Sequence, residues 1–220
     1  MAGTDAVVRT HRGRYALPTA AEHRREAHRF TGVLSHLGAA IAHGWPVKTQ
    51  PDQPWVTVRR TRHLAASDRQ RISAHWRDLD EPQRRAGVTS PLRTVLDCAA
   101  ALPFDEALSI ADSALRHGDV SRAELVAAAR HLRGPGSARV RRVADLADHR
   151  SANPFESVLR AIALELPELV LVPQLRIWYT GLWATVDLGD ESLGLVLEAE
   201  GSPTTAPART SSATLGATRS

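Results

Sequence analysis

"NPFESVLRAIALEL", residues 153–166, is followed by "LVLVPQLRIWY" (169–179), "LWATVDLGD" (182–190) and "LGLVLEAE" (193–200). In the first segment apolar residues recur every three or four positions. Asn153 suits a helix N-cap and Pro154 the first helical position. In the next three segments the period falls to two, and the short "TG" and "DES" connections read as hairpin turns. The stretch therefore predicts one helix followed by a three-stranded antiparallel meander. Acids interrupt those strands where Val or Ile would pack better: Asp187, Glu198 and Glu200. Glu198 and Glu200 share a face because strand side chains alternate. Pairing about a turn near 190–192 sets Asp187 within one or two residues of the level of Glu198. Glu156 lies in the first helical turn, where the helix dipole favours a carboxylate. Carboxylates converging at one sheet edge suit Mg²⁺ or Mn²⁺, and a cation held there could activate water and stabilise charge on a phosphate. Solvent-facing acids at strand ends would give the same spacing, so both readings stay open on spacing alone.

Upstream, the chain from Ser90 reads as consecutive helices. "SPLRTVLDCAAAL" has a Ser cap and a first-turn Pro, "DEALSIADSALRHG" ends on Gly118, and "SRAELVAAARHLRG" opens with the capping box Ser121/Glu124; "SARVRRVADLAD" follows. Before Ser90 the pattern is mixed. Residues 20–45 read as one helix carrying Leu34, Leu37 and Ile41 and ended by Gly44 and Pro46. "PWVTVRR" (54–60) reads as a strand, "ISAHWRDL" (72–79) as a strand or a helical turn, and "VVRTHRGRYALP" (7–18) as a short strand or hairpin arm whose partners lie downstream or are absent. The last residues, 202–220, are dominated by Ser, Thr, Ala and Pro and are expected to lack order.

With 220 residues the chain is long enough for one large or two small domains. No apolar run is long enough to span a bilayer, the N-terminus lacks a signal-peptide core, and the single cysteine, Cys98, excludes an internal disulfide. These features predict a cytoplasmic protein with no membrane partner. The net charge is +4, and 27 of the 28 basic residues are Arg, Lys48 being the exception. Residues 1–63 hold ten basic against four acidic residues. Arg12 and Arg14 in "RGRYALP", and Arg59, Arg60 and Arg62 in "RRTRH", are candidate phosphate contacts, a solvated strand edge being the other reading. His36 and His43, seven apart, read as surface or core histidines rather than a metal pair. The five tryptophans read as packing or half-buried residues rather than a base-stacking row.

"NPFESVLRAIALE", "VDL" and "LVLEAEG" together resemble the DUF559 family, which is similar to the very-short-patch-repair and restriction-endonuclease-like nucleases. The upstream "RGRYALP", "VLSHLGAAIAHGWP" and "VTSPLRTVLDCA" resemble the AbiEi-like antitoxin region, opening with a winged helix, that precedes this domain in actinobacterial proteins. The resemblance implies that Glu156, Asp187 and Glu198 are the catalytic and metal-binding acids of a PD-(D/E)xK-like centre holding Mg²⁺, with Glu200 standing where the family has Asp and completing the metal set. It implies DNA as a partner and a toxin as a second one. The chain departs from the related nuclease pattern in having no lysine two residues after the acid. It also lacks the family's following histidine, helix and strand, so it looks clipped at both ends, and the segment after Gly201 reads like a GC-rich gene out of frame. The expected architecture is α+β: a winged-helix remnant over 1–90, a helical segment over 91–150, an incomplete endonuclease-like core over 151–201, and a disordered tail over 202–220. The expected function is a DNA-associated protein, non-catalytic or weakly active; the alternative is a Mg²⁺-dependent DNA endonuclease using Glu156, Asp187 and Glu198.

Overall fold

The computed structural model describes residues 8–11, 14–16, 18–151, 153–166, 168–179 and 181–199. The tail at 202–220, Arg12 and Glu200 lie outside the described residues. The segment at 7–18 folds on itself: strands β1 (Val8–His11) and β2 (Arg14–Ala16) pair antiparallel, Val8 opposite Ala16 and Arg9 opposite Tyr15. The pairing partner, expected downstream or absent, lies within the segment itself.

Residues 20–45 are not one helix. Helix α1 (Pro18–Arg29) ends early, strand β3 (Val33–Leu34) follows, and helix α2 (His36–Ala42) starts after it. Two left-handed residues, Thr31 (φ 51°) and His36 (φ 48°), break the helical path. Between them Gly32 presses onto the next strand, where a Cβ would sit 2.7 Å from the carbonyl oxygen of Thr57. Val33 and Leu34 gain more by pairing with Thr57 and Val56 than a continuous helix would allow them. Strand β4 (Trp55–Val58) is central. Helix α3 (Ala66–Arg69) leads to strand β5 (Ser73–Trp76), which pairs parallel to β4, and helix α4 (Glu81–Ala86) follows. Phe30, Leu34, Val56, Val58, Leu64 and Ile72 form the small core beneath this sheet.

Two of the helices after Ser90 start where their serine caps predict. Ser90 Oγ accepts the Arg93 N–H at the head of α5 (Pro91–Ala101). Helix α6 (Phe104–Arg116) follows, and a complete capping box opens α7 (Arg122–His131). Helix α8 (Ser137–Leu146) closes the set. Their apolar faces form the larger core, which takes Leu37, Ala40 and Trp45 from upstream and Ala161 from downstream. Ala161 belongs to α9 (Pro154–Ala163), which packs along α6. The contact contains a buried ion pair: Arg160 donates to both oxygens of Asp112, at 2.8 and 2.6 Å.

Strands β6 (Val172–Tyr179), β7 (Leu182–Asp190) and β8 (Leu195–Leu197) complete the α+β chain as an antiparallel meander in sequence order. The third strand is shorter than the sequence predicts. Leu193 and Gly194 belong to the turn, with Gly194 at φ 60°, and Glu198 lies just past the strand end. The first strand is distorted at Gln174 (φ 51°), and Leu175 fills the space above Gly189, 2.5 Å from where a Cβ would stand. No helix among the described residues is long and apolar enough to cross a membrane.

Candidate metal centre

Asn153 builds the first turn of α9. Its Oδ1 accepts the N–H groups of Phe155 (2.8 Å) and Glu156 (3.1 Å), and its Nδ2 donates to Glu156 Oε1 (2.6 Å). The cap therefore fixes the backbone and the carboxylate of Glu156 together, and Glu156 is buried at 4% exposure. The other oxygen, Oε2, accepts from Gln174 Nε2 at 2.9 Å. Gln174 sits between the Pro173–Leu188 and Leu175–Val186 pairs, at the level of Asp187 on the neighbouring strand. Its left-handed backbone marks a bulge-like irregularity of the kind that re-aims a side chain out of the regular ladder. A burial or electrostatic argument for Gln174 was not available from the sequence, because its role depends on that irregularity.

The hairpin register then brings the other two acids together. Leu188 faces Leu197, so the next level sets Asp187 against Glu198. Asp187 Oδ2 accepts the N–H of Ala199 at 2.8 Å, which holds the chain beyond β8 against β7. The Glu198 carboxyl is raised above the usual carboxylate range, first by burial, then by the adjacent Asp187 charge and a side-chain hydrogen bond with it; the charge of Glu156 adds to the rise. Two carboxyl groups in contact hold a proton between them, or a cation in its place. The register thus sets Asp187 opposite Glu198, whose side chain is exposed, and the charge of Glu156 reaches Glu198 at longer range. Among the described residues, no set of three or more His, Cys, Asp or Glu side chains is gathered tightly enough to hold a metal ion. The donor chemistry suits a hard cation such as Mg²⁺, with Glu156 tied toward Asn153 and Gln174.

The chain's only lysine does not serve this centre. Lys48 Nζ pairs with Asp105 at 2.5 Å, at the start of α6. The basic candidates are elsewhere. Arg59, Arg60 and Arg62 are exposed at the end of β4 and in the turn after it, where Arg60 Nε stands 3.9 Å from an exposed Asp78 carboxylate. Arg14 lies in β2, opposite His11.

A second polar cluster escaped the sequence reading. His36 stacks on His75 at 3.9 Å between ring centroids, and Trp55 flanks both at 5.2 and 5.1 Å. Beside them Asp97 receives Arg77 (2.5 and 2.7 Å) and Arg93 (2.8 Å). Asp97 is buried and held below the usual carboxylate range: burial alone would raise it, and the two guanidinium groups outweigh that. Burial is the main force pulling His36 down, to about 3, and it lowers His75 as well. An Asp amid the apolar "TVLDCAA", four residues after an Arg, was the available signal, because a buried acid needs a partner. Asp97 and the two arginines pair with one another and His36 Nδ1 bonds Ser35 Oγ at 3.0 Å, whereas His75 Nε2 and Arg77 Nη2 are buried with no hydrogen-bond partner among the described residues. His43, the C-cap of α2, bonds the carbonyl of Thr89 at 2.9 Å. A cleft of about 760 Å³ between the start of α7, the 145–150 loop and β6 has its cations already engaged, Arg150 by Asp148 and Arg122 by carbonyl oxygens.

Comparison with protein-family models, with curated proteins and with solved structures returns no match for this chain.

Proposed function

We propose that this chain is a DNA-associated protein with an endonuclease-like helix–meander that takes one divalent cation, and that it acts by binding, with weak or no phosphodiester hydrolysis. The observation that supports this reading is the β7–β8 register, which sets Asp187 opposite Glu198, with Glu156 held at the level of Asp187 by its bond to Gln174. Mg²⁺, when bound, would supply charge neutralisation at a DNA phosphate. Asp187 and Glu198 would hold it, Glu156 would face it, and Asn153 and Gln174 would orient Glu156 through the bonds they already make. The weak-hydrolysis part rests on Lys48, which is occupied by Asp105 and gives the centre no cation of its own. The resemblance of the upstream region extends the proposal to a toxin partner, and the single cysteine and the lack of a signal-peptide core extend it to a cytoplasmic setting.

Without a cation, ionising Glu198 beside Asp187 costs stability. Because the folded-state pKa of Glu198 is raised, its share of stability is present below its ordinary value and lost as pH rises through the raised one. Mg²⁺ should therefore raise the melting temperature of the wild type more in mildly alkaline than in acidic buffer. Asp187→Asn keeps an acceptor for the Ala199 N–H but removes the like charge. It should be at least as stable as the wild type without metal and gain nothing from Mg²⁺. Equal Mg²⁺ stabilisation in both proteins would overturn the cation site. Plasmid relaxation separates the two activities: cleavage that requires Mg²⁺ and disappears in Asp187→Ala establishes an endonuclease, and DNA retention that is indifferent to EDTA establishes a binder.

A further inference from the structure

Strands β4 and β5 are parallel, so both end on one side of their sheet, with Val58 opposite Trp76. Beyond Val58 the chain turns through Arg59, Arg60 and Arg62, all exposed. The Trp76 indole stands at that rim, 40% exposed. Its Nε1–H donates to the carbonyl of Arg62 at 2.9 Å, which ties the turn to β5. Arg69, the last residue of α3, sets its guanidinium 5.7 Å from the Trp76 ring centroid. One indole thus orders arginines from two elements. Among the described residues, Arg59, Arg62 and Arg69 form no ion pair with a carboxylate. Arg60 reaches only Asp78, at 3.9 Å with both side chains largely exposed, a contact worth little in water.

We infer that the β4–β5 rim is a contact surface for a phosphodiester backbone, with Trp76 as the positioning residue that holds Arg69 and the Arg62 turn toward neighbouring phosphates. The inference rests on the DNA-associated reading above and adds where the backbone lies and what orders the cations. Charge and composition select this occupant. Residues 59–85 hold eight arginines and four acids. Arg77 turns inward to Asp97, and the seven arginines that remain exceed the acids by three. In a twofold contact through this rim every acid could meet an arginine of the copy, and three cations per subunit would still face like charge. An acidic protein would need an apolar centre, as the buried middle of a protein interface has. Trp76 apart, the large apolar residues exposed among the described residues lie between Phe155 and Val196, and the Trp76 ring already carries Arg69. A nucleic-acid backbone requires only a polar and strongly positive surface. Phosphate contacts of this kind position the protein without reading sequence.

The test uses the full chain in EDTA, so that neither the cation nor hydrolysis enters. A fluorescein-labelled blunt duplex is titrated by anisotropy at stepped salt, with a labelled poly-glutamate peptide as the second probe and melting temperatures measured alongside. Arg69→Ala should make the slope of log duplex affinity against log salt shallower by about 0.9. Arg130→Ala removes the same charge from an exposed position of α7, which packs on α8 and α5, and should leave the slope unchanged. Trp76→Ala keeps every charge, so it should keep the slope while weakening duplex binding roughly two- to fivefold. Trp76→Phe, which keeps a ring under Arg69, should recover part of that loss. A wild-type slope in Arg69→Ala, or an equal change in Arg69→Ala and Arg130→Ala, overturns the surface while leaving DNA association standing. Unchanged affinity in a folded Trp76→Ala overturns the positioning role, and if that variant melts early the Arg69 comparison decides alone. No duplex binding by the wild type removes both readings. Poly-glutamate bound as tightly as the duplex, and weakened by the same variants, assigns the rim to an acidic protein and overturns the inference.

Discussion

Asp112 and Arg160 show how much one residue decides in this molecule. Both side chains are buried, and together they tie α9, and with it Glu156, to the helical core. Burial holds the Asp112 carboxyl above its ordinary range even beside the guanidinium. Removing the acid alone leaves a buried unpaired charge, so Asp112→Ala should cost about 3–5 kcal/mol in urea unfolding, and Asp112→Ala with Arg160→Met should recover much of it. The stacked histidines give a second residue-scale prediction. The unfolded chain takes up protons near pH 6.5, and folded His36 does so only near 3. Stability contributed by the neutral form is therefore complete above pH 6.5 and is lost as pH falls toward 3, by an amount on the order of 5 kcal/mol across the window. His75, lowered in the same direction, adds to the slope, and Asp97, with a depressed pKa, adds its own loss only in the carboxylate range below. His36→Asn tolerates the left-handed backbone and should flatten the stability–pH curve above the carboxylate range, measured by chemical denaturation at stepped pH.

At the scale of elements, what the sequence discloses and what it hides separate by the range of the forces involved. Helix starts are local: Ser90, Ser121 and Asn153 each accept N–H groups two or three residues ahead, and each was readable from its own neighbours. The meander was readable too, since its strands adjoin in sequence and its register follows from its turns. The β3–β4–β5 sheet was not. Val33 and Leu34 make a strand of two residues whose existence depends on Thr57 and Val56, and β5 pairs parallel after a connection with no periodic signal. The same range limit applied to the candidate site: Asp187 and Glu198 could be matched by counting, whereas Gln174 could not. Caps make a matched test. Asn153→Ala and Ser121→Ala should each cost about 1 kcal/mol. Only Asn153→Ala removes the donor that fixes Glu156 Oε1, so it alone should also weaken the Mg²⁺-dependent rise in melting temperature, while Ser121→Ala leaves that rise intact.

Over the whole molecule the charge is divided between regions that do different work. The excess of basic residues in the first 63 positions was visible from composition, but composition cannot distinguish arginines consumed by ion pairs from those left to solvent. The structure separates them. Arg77, Arg93 and Arg160 are absorbed by Asp97 and Asp112, whereas Arg59, Arg60 and Arg62 stand exposed around one strand end. Only the second group can displace counterions from a nucleic-acid backbone. Each phosphate they neutralise should add about −0.9 to the slope of log affinity against log salt on duplex DNA. Combining Arg59→Ala, Arg60→Ala and Arg62→Ala should therefore make the slope shallower by roughly two to three, with little change in melting temperature because these side chains brace nothing buried. A salt titration of the wild type and the triple-arginine variant checks this. If the triple variant kept the full slope, the exposed arginines would be an ordinary solvated edge, and the charge that meets DNA would have to lie with other residues.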